Sequence, residues 1–330
     1  MTLRPPLLAA AFLAVLAAPL LAAPKPWTSD DILALRVVSD PQVSPDGRWV
    51  VYVVQSLSAD SSEYQTDLWL APVATVAGDP RRLTTAPAAD EHPRWSPDGR
   101  TIAFGRGFRT IWLVRGDGSD ARQLTRPIRT MEDSSPAWSA DGGRVVFVRL
   151  RPELQARGER RTELRTIDAN RTRPRRLLSK SVNVVSPDWS PDGREIAFND
   201  VEERMWVADA NGSNRRRLGP KGLVGREPRW SPDGRRVAFV EFDSGTFRIL
   251  DLRTGRQRTL LDFGSFSAHA WSPDGRWLAL MRTTPVECEG PYECESLQLW
   301  IVSSTGTSRK LVLSVPDGGE VYGIDWRRRS

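Results

Sequence analysis

Histidine and cysteine are scarce in this 330-residue chain, at two residues each. No Cys-pair zinc pattern, His-Glu-x-x-His helix or Gly-rich phosphate loop occurs, which removes the usual zinc, metalloprotease and nucleotide readings. Gly-x-Ser-x-Gly is missing as well, and only His92 and His269 offer an imidazole base, so an elbow-type acyl-transfer site cannot be assembled. Beyond the N-terminus there is no long apolar run, so no membrane span is expected in the mature chain. Cys288 and Cys294 stand in Cys-Glu-Gly-Pro-Tyr-Glu-Cys and are expected to close a loop as a disulfide in an oxidising compartment. A metal site would need more cysteines or histidines nearby; no metal and no cofactor is expected.

The first 23 residues have a basic start at Arg4, an apolar run Leu7–Ala23 broken by Pro19, and small residues at the end. That is the pattern of a secretory signal, which places the protein in the periplasm or outside the cell. Pro24 is an awkward residue after the cut, so an uncleaved anchor is the alternative. No cysteine follows the run, which excludes a lipoprotein. Net charge is +6, with arginine gathered at Arg157–Arg176 and Arg327–Arg329. Export separates such patches from cellular nucleic acid, and no aromatics interleave Arg157–Arg176, so a solvated face rather than a nucleic-acid partner is expected.

What the chain has in quantity is one motif. Trp-Ser-Pro-Asp-Gly stands complete at Trp95–Gly99, Trp189–Gly193, Trp230–Gly234 and Trp271–Gly275, with Ala140 for proline in Trp138–Gly142 and valine for tryptophan in Val43–Gly47. Its serines, 44, 96, 139, 190, 231 and 272, are spaced by 52, 43, 51, 41 and 41 residues. A strand-rich repeat of about 40–50 residues points to a propeller. Proline presets φ, Asp bonds nearby backbone and Gly accepts positive φ, so the motif is a tight turn between two strands. A third strand carries Trp69, Trp112, Trp206 and Trp300, and a fourth a basic-then-leucine pair such as Arg82-Leu83 or Arg217-Leu218. Ten of the 13 tryptophans occupy just two positions of this unit, where flat side chains pack blade on blade.

The expected fold is therefore all-β: a six-bladed propeller of four-stranded antiparallel blades over residues 41–330, with seven blades as the alternative. Residues 24–40 precede it, with a lead-in helix at Thr28–Asp40 capped by Thr28 or Ser29. Val321–Trp326 reads as one more inner strand, able to close the ring in the first blade in place of Pro41–Ser44. The three long repeats gain their extra residues between second and third strands, at Gln55–Thr66, Leu150–Arg161 and Thr283–Ser296. These insertions share one mouth of the propeller, while the Ser-Pro-Asp-Gly turns tile the other. Long loops favour the first mouth for binding.

Inner strands begin at that mouth. Two residues before the tryptophan position stand Pro41, Pro93, Pro136, Pro187 and Pro228, expected where a strand turns its free edge to a water-filled channel. Flanking positions are largely polar. Glu91, His92, Arg94, Glu227, Arg229 and His269 are the candidate site residues near the channel entrance, set against ordinary hydration of a channel wall, which is the favoured explanation. Acidic turns at Asp117–Asp120 and Asp209–Asn211 lack the length and terminal carboxylate of a calcium loop.

The repeated Trp-Ser-Pro-Asp-Gly, the following Ile-Ala-Phe or Val-Ala-Phe, and the turns Gly116-Asp117-Gly118-Ser119 and Asn211-Gly212-Ser213-Asn214 resemble the TolB-type, WD40-like propeller repeat over Pro41 to Trp326. That resemblance implies a periplasmic protein of the Tol-Pal envelope system whose propeller binds the peptidoglycan-associated lipoprotein. TolB carries a further N-terminal domain, for which this chain has no room. Trp27–Leu33 with Val38–Gly47 is similar to the opening of acylaminoacyl-peptidase-like members of the prolyl oligopeptidase family, which place a hydrolase domain after the propeller. The resulting expectation is an exported monomer that binds a protein or peptide of the cell envelope at its decorated mouth and catalyses nothing. The alternatives are a channel-mouth lyase or hydrolase, or a non-catalytic peptidase relative.

Overall fold

A computed structural model describes residues 36–57, 63–72, 79–152, 162–170, 173–178, 183–262, 265–286 and 294–315. The first blade holds β1 (Arg36–Val43), β2 (Trp49–Leu57), β3 (Tyr64–Pro72) and β4 (Arg81–Arg82). The second holds β5 (Asp90–Trp95), β6 (Thr101–Arg106), β7 (Thr110–Arg115) and β8 (Arg122–Gln123), and the third β9 (Glu132–Trp138), β10 (Arg144–Leu150), β11 (Thr162–Asp168) and β12 (Arg175–Arg176). The fourth holds β13 (Val185–Trp189), β14 (Glu195–Asn199), β15 (Met205–Asp209) and β16 (Arg216–Arg217). The fifth holds β17 (Gly225–Trp230), β18 (Arg236–Glu241), β19 (Phe247–Asp251) and β20 (Gln257–Leu261), and the sixth β21 (Ser265–Trp271), β22 (Trp277–Val286), β23 (Cys294–Ser303) and β24 (Arg309–Val315). Each blade is an antiparallel sheet in simple sequence order, and β1 meets both β5 and β21, closing a ring of six.

Two expectations about the N-terminal side change. Arg36–Asp40, assigned to a helix, is strand, because Val37, Val38 and Ser39 pair with Gln55, Val54 and Val53 of β2; the rest of Thr28–Asp40 lies outside the described residues. β1 fills the innermost place of the first blade, with Val43 opposite Val50, so Pro41–Ser44 is not displaced. Val321–Trp326, the signal segment 1–23 and Cys288 of the expected disulfide also lie outside the described residues. Two of the three insertions prolong a hairpin: β2 and β3 pair out to Leu57 and Tyr64, and β22 and β23 to Val286 and Cys294.

The turns behave as their residues dictate. In all six, the near-buried serine hydroxyl donates to the turn aspartate (2.5–2.6 Å) and accepts the backbone N–H five residues on (2.9–3.0 Å). The turn glycines all have φ between +65° and +71°.

Apolar side chains pack between blades. Five clusters fill the five seams between consecutive blades, with Phe104, Phe147, Phe198 and Phe239 fully enclosed. Inner tryptophans also act as latches: Trp95, Trp138 and Trp271 donate their indole N–H to the carbonyls of Gln42, Arg94 and Arg229 on the preceding inner strand, each at 3.1 Å. A second latch lies on the outer strand. Arg81 donates to Gly116 and Asp117 carbonyls, Arg122 to Ala169 and Arg258 to Thr305, each reaching the next blade (2.8–3.1 Å).

Candidate functional site at the channel

Every inner strand of the first five blades breaks register at one place. Asp40-Pro41, His92-Pro93, Ser135-Pro136, Ser186-Pro187 and Glu227-Pro228 are skipped by the ladder. The first residue of each pair is left-handed, with φ of 46°, 54°, 51°, 48° and 53°. A non-glycine residue held there, and before proline, costs on the order of 1–2 kcal/mol. Such bulges re-aim side chains, and stored strain concentrates at functional positions. The prolines are tolerated because a skipped residue has no ladder bond to lose. All five are buried rather than edging a water-filled channel, which corrects the reason expected for them.

The bulges bring charges together. Arg94 donates from Nη1 to both oxygens of Asp40 (2.9 and 2.8 Å), which also accepts Gln42 Nε2 (2.8 Å). Burial alone would raise the Asp40 carboxyl, yet Arg94, His92 and Arg229 together hold it below the usual range. Arg229 of the fifth blade bonds through Nη1 to its own Pro228 carbonyl (3.2 Å), as Arg94 does to Pro93 (2.7 Å). Nε and Nη2 of both guanidiniums make no hydrogen bond among the described residues. Burial, then the like charge of Arg94, lowers Arg229. Asp188 of the fourth blade accepts the Trp230 backbone N–H (2.8 Å) and is raised by burial against the pull of Arg229. Arg94 acts on Asp188, Glu227 and His269 as well, so with Asp40 the group spans the first, second, fourth, fifth and sixth blades.

Burial raises Glu227 in spite of Arg229, and burial lowers His92. His269 occupies the place that proline holds in the other blades, and like those prolines it is enclosed, 2% exposed. Its ring meets Phe247 edge-on at 4.9 Å, and its Nδ1 lies 3.9 Å from Glu227 Oε2. The Ala238 backbone is close enough to polarise the imidazole, but neither ring nitrogen attains hydrogen-bond geometry. Burial, followed by Arg229, drives its pKa to about 3, so it is neutral. His269 therefore sits behind Glu227 in a blade seam.

Of the six sequence-derived residues, His92, Arg94, Glu227 and Arg229 join one electrostatic group with His269 beneath it. Glu91 stands apart, raised by burial and by the carboxylates of Asp40 and Asp90. Asp40, Gln42 and Asp188 belong to the group and were not singled out by sequence, because Asp40 and Asp188 meet partners on other blades and Gln42 joins only through Asp40. For Asp40 the signal is columnar: an acid three residues before one tryptophan position faces an arginine one residue before the next.

Among the described residues, no helix is long and apolar enough to cross a membrane, and no group of three His, Cys, Asp or Glu side chains is placed to hold a metal ion.

No family model matches the chain. A TolB of Agrobacterium tumefaciens superposes with a TM-score of 0.58 at 24% identity, over 73% of this chain and 87% of that one. A TolB of Acinetobacter baumannii superposes at 0.55 and 18%, over 82% and 64%. The fold is that of the TolB-type propellers. An oligogalacturonate lyase in complex with manganese also shares it, at a TM-score of 0.60 and 16% identity over 84% of this chain and 78% of the lyase. Among curated sequences, the peptidase YuxL of Bacillus subtilis is 33% identical over 123 residues, 36% of this chain and 18% of its own length. Protein Atu1656 of Agrobacterium fabrum is 33% identical over 129 residues, 37% of this chain and 43% of its own length. The match thus spans less than half of each of these curated relatives. Lyases on this propeller and a peptidase-named relative overturn the expectation that the chain catalyses nothing.

Proposed function

We propose that this TolB-type propeller works at the channel mouth bearing the long hairpins, where Arg94 and Arg229 receive the carboxylate of a peptide or protein segment from the cell envelope. The observation that carries this reading is the pair of guanidiniums drawn back by Nη1 onto the carbonyls of Pro93 and Pro228, with Nε and Nη2 left for a ligand. Asp40 fixes Arg94 in place, and charge-assisted bidentate bonds to a carboxylate are what such a fork offers. An envelope peptide pool passed over the wild-type protein and over Arg94→Ala/Arg229→Ala, with bound peptides read by mass spectrometry, tests it. Acidic or carboxylate-ended peptides retained by the first and lost from the second support the reading; identical sets from both sink it.

A second reading is favoured by one arrangement, Glu227 raised toward neutrality directly over neutral His269 and beside Arg229. A carboxyl so poised can exchange a proton next to an anchored carboxylate, the chemistry a lyase needs. The manganese of the lyase neighbour finds no matching donor set among the described residues, so this reading is built on side chains alone. Incubation with oligogalacturonate, scored by unsaturated product, tests it. Turnover abolished by Glu227→Gln supports it, and no turnover by wild type retires it.

A further inference from the structure

The six-blade ring is not uniformly fastened. Seams one–two, two–three and five–six each carry an indole latch and an arginine latch. The indole latch is missing at seams three–four and four–five, where Trp189 and Trp230 Nε1 are buried without a partner, and at seam four–five Arg216, the counterpart of Arg81, Arg122 and Arg258, turns instead to Glu195 of its own blade at 2.7 Å. Glu195 is the sole carboxylate at its position; the equivalent residues are Trp49, Thr101, Arg144, Arg236 and Trp277. It diverts the arginine that would otherwise bridge to the fifth blade.

A groove of about 710 Å³ opens at this same seam. Its floor is apolar, with Val207, Leu218, Leu250, Leu252 and Trp230, and its rim carries Arg217, Arg235 and Arg253. The nearby carboxylates are already engaged, Glu195 by Arg216 and Asp251 by the backbone N–H and hydroxyl of Thr254, both 2.7 Å. Arg235 and Arg253 are exposed and make no side-chain hydrogen bond among the described residues. The strand order puts this groove on the face tiled by the Ser-Pro-Asp-Gly turns, opposite the candidate channel site.

We propose that the seam between the fourth and fifth blades is a second binding site, taking an extended acidic peptide segment whose apolar side chain enters the groove while its carboxylates meet Arg235 and Arg253. Leu252 and Trp230 give the groove an apolar wall, and the exposed Arg235 and Arg253 on its rim select an acidic occupant by charge complementarity.

The test uses the full chain and a fluorescein-labelled Glu-Glu-Leu-Phe-Glu-Glu amide, with binding read by anisotropy. Saturable binding is expected, weakened at least roughly tenfold by Arg235→Glu/Arg253→Glu, and altered by less than about twofold by Arg48→Glu/Arg100→Glu on the turns of the first two blades. All four positions are exposed, so folding is not at stake. Hydrogen exchange with the peptide bound should slow the amides of Leu218, Leu250 and Leu252. Absence of saturable binding, equal loss in both double variants, or exchange at Leu218, Leu250 and Leu252 left unchanged by the peptide overturns the proposal.

Discussion

Replacing His269 by leucine should change how stability depends on pH more than stability itself. In the folded chain the imidazole side chain is wholly enclosed and titrates at about 3. In the unfolded chain it titrates near the ordinary imidazole value of 6.5. Below pH 6.5 the unfolded chain therefore takes up a proton that the folded chain refuses, so this group's contribution is fully present above 6.5 and is lost as pH falls toward 3. The slope is about 1.4 kcal/mol per pH unit, and the whole window amounts to about 5 kcal/mol. Burial raises Glu227 and Asp188 and so acts in the opposite sense, but both remain in the variant, and the difference between the proteins isolates the imidazole. Urea unfolding followed by far-ultraviolet circular dichroism, at about pH 7.5, 6.5, 5.5 and 4.5, gives that difference directly. Wild type should lose about 2.7 kcal/mol relative to His269→Leu between the highest and lowest of these values. A difference that stays flat across the series would refute the enclosed, neutral imidazole.

Three further outcomes follow from packing. Trp138→Phe removes a latch to the Arg94 carbonyl, whereas Trp230→Phe removes an N–H that has no partner; in urea unfolding the first should cost about 1–2 kcal/mol more than the second, the worth of one hydrogen bond plus an orphaned carbonyl. Asp133→Ala strips the partner from Arg149, only 4% exposed and held by bonds of 2.5 and 2.7 Å, and should destabilise by about 3–5 kcal/mol, measured the same way. Gly212→Ala places a Cβ onto the Leu177 carbonyl oxygen at φ +89°, while Gly222→Ala, also at φ +89°, meets nothing. The thermal midpoint should fall well below wild type for the first and only slightly for the second, by the roughly 1 kcal/mol of the positive φ alone.

Blades and turns were legible because their chemistry is local. Serine, aspartate and glycine of each turn satisfy one another within five residues, and the apolar runs that follow, such as Ile102–Phe104 and Val237–Phe239, are the seams' buried contents. The channel group was only partly legible. Asp40 and Arg94 are 54 residues apart and meet only because consecutive blades lie side by side. Left-handed backbone at Asp40, His92, Ser135, Ser186 and Glu227 has no compositional signature, since five positions use four residue types. The proline column was visible, but its meaning lies in the register skip; His269 stands in that column by spacing yet pairs with Leu280, the sixth blade's skip falling between Phe266 and Ala268. The first strand was hidden by Asp30, Asp31, Ile32 and Leu33, which look like a helix start, whereas Arg36–Val43 is held by pairing with β2. The outer basic-then-leucine pairs mark the strand but not its latch, which is the residue before each pair, Arg81, Arg122 or Arg258.

The central claim is that ligands meet this propeller at the bulged inner strands around Arg94 and Arg229. Its most direct measurement is hydrogen exchange on the full chain with and without the acidic peptides it retains from an envelope pool. Slowed exchange at Ser39–Gln42, Glu91–Arg94 and Arg226–Arg229, absent in Arg94→Ala/Arg229→Ala, is the predicted result. Unchanged exchange at all three stretches, with protection confined to the turn-tiled face, would contradict it.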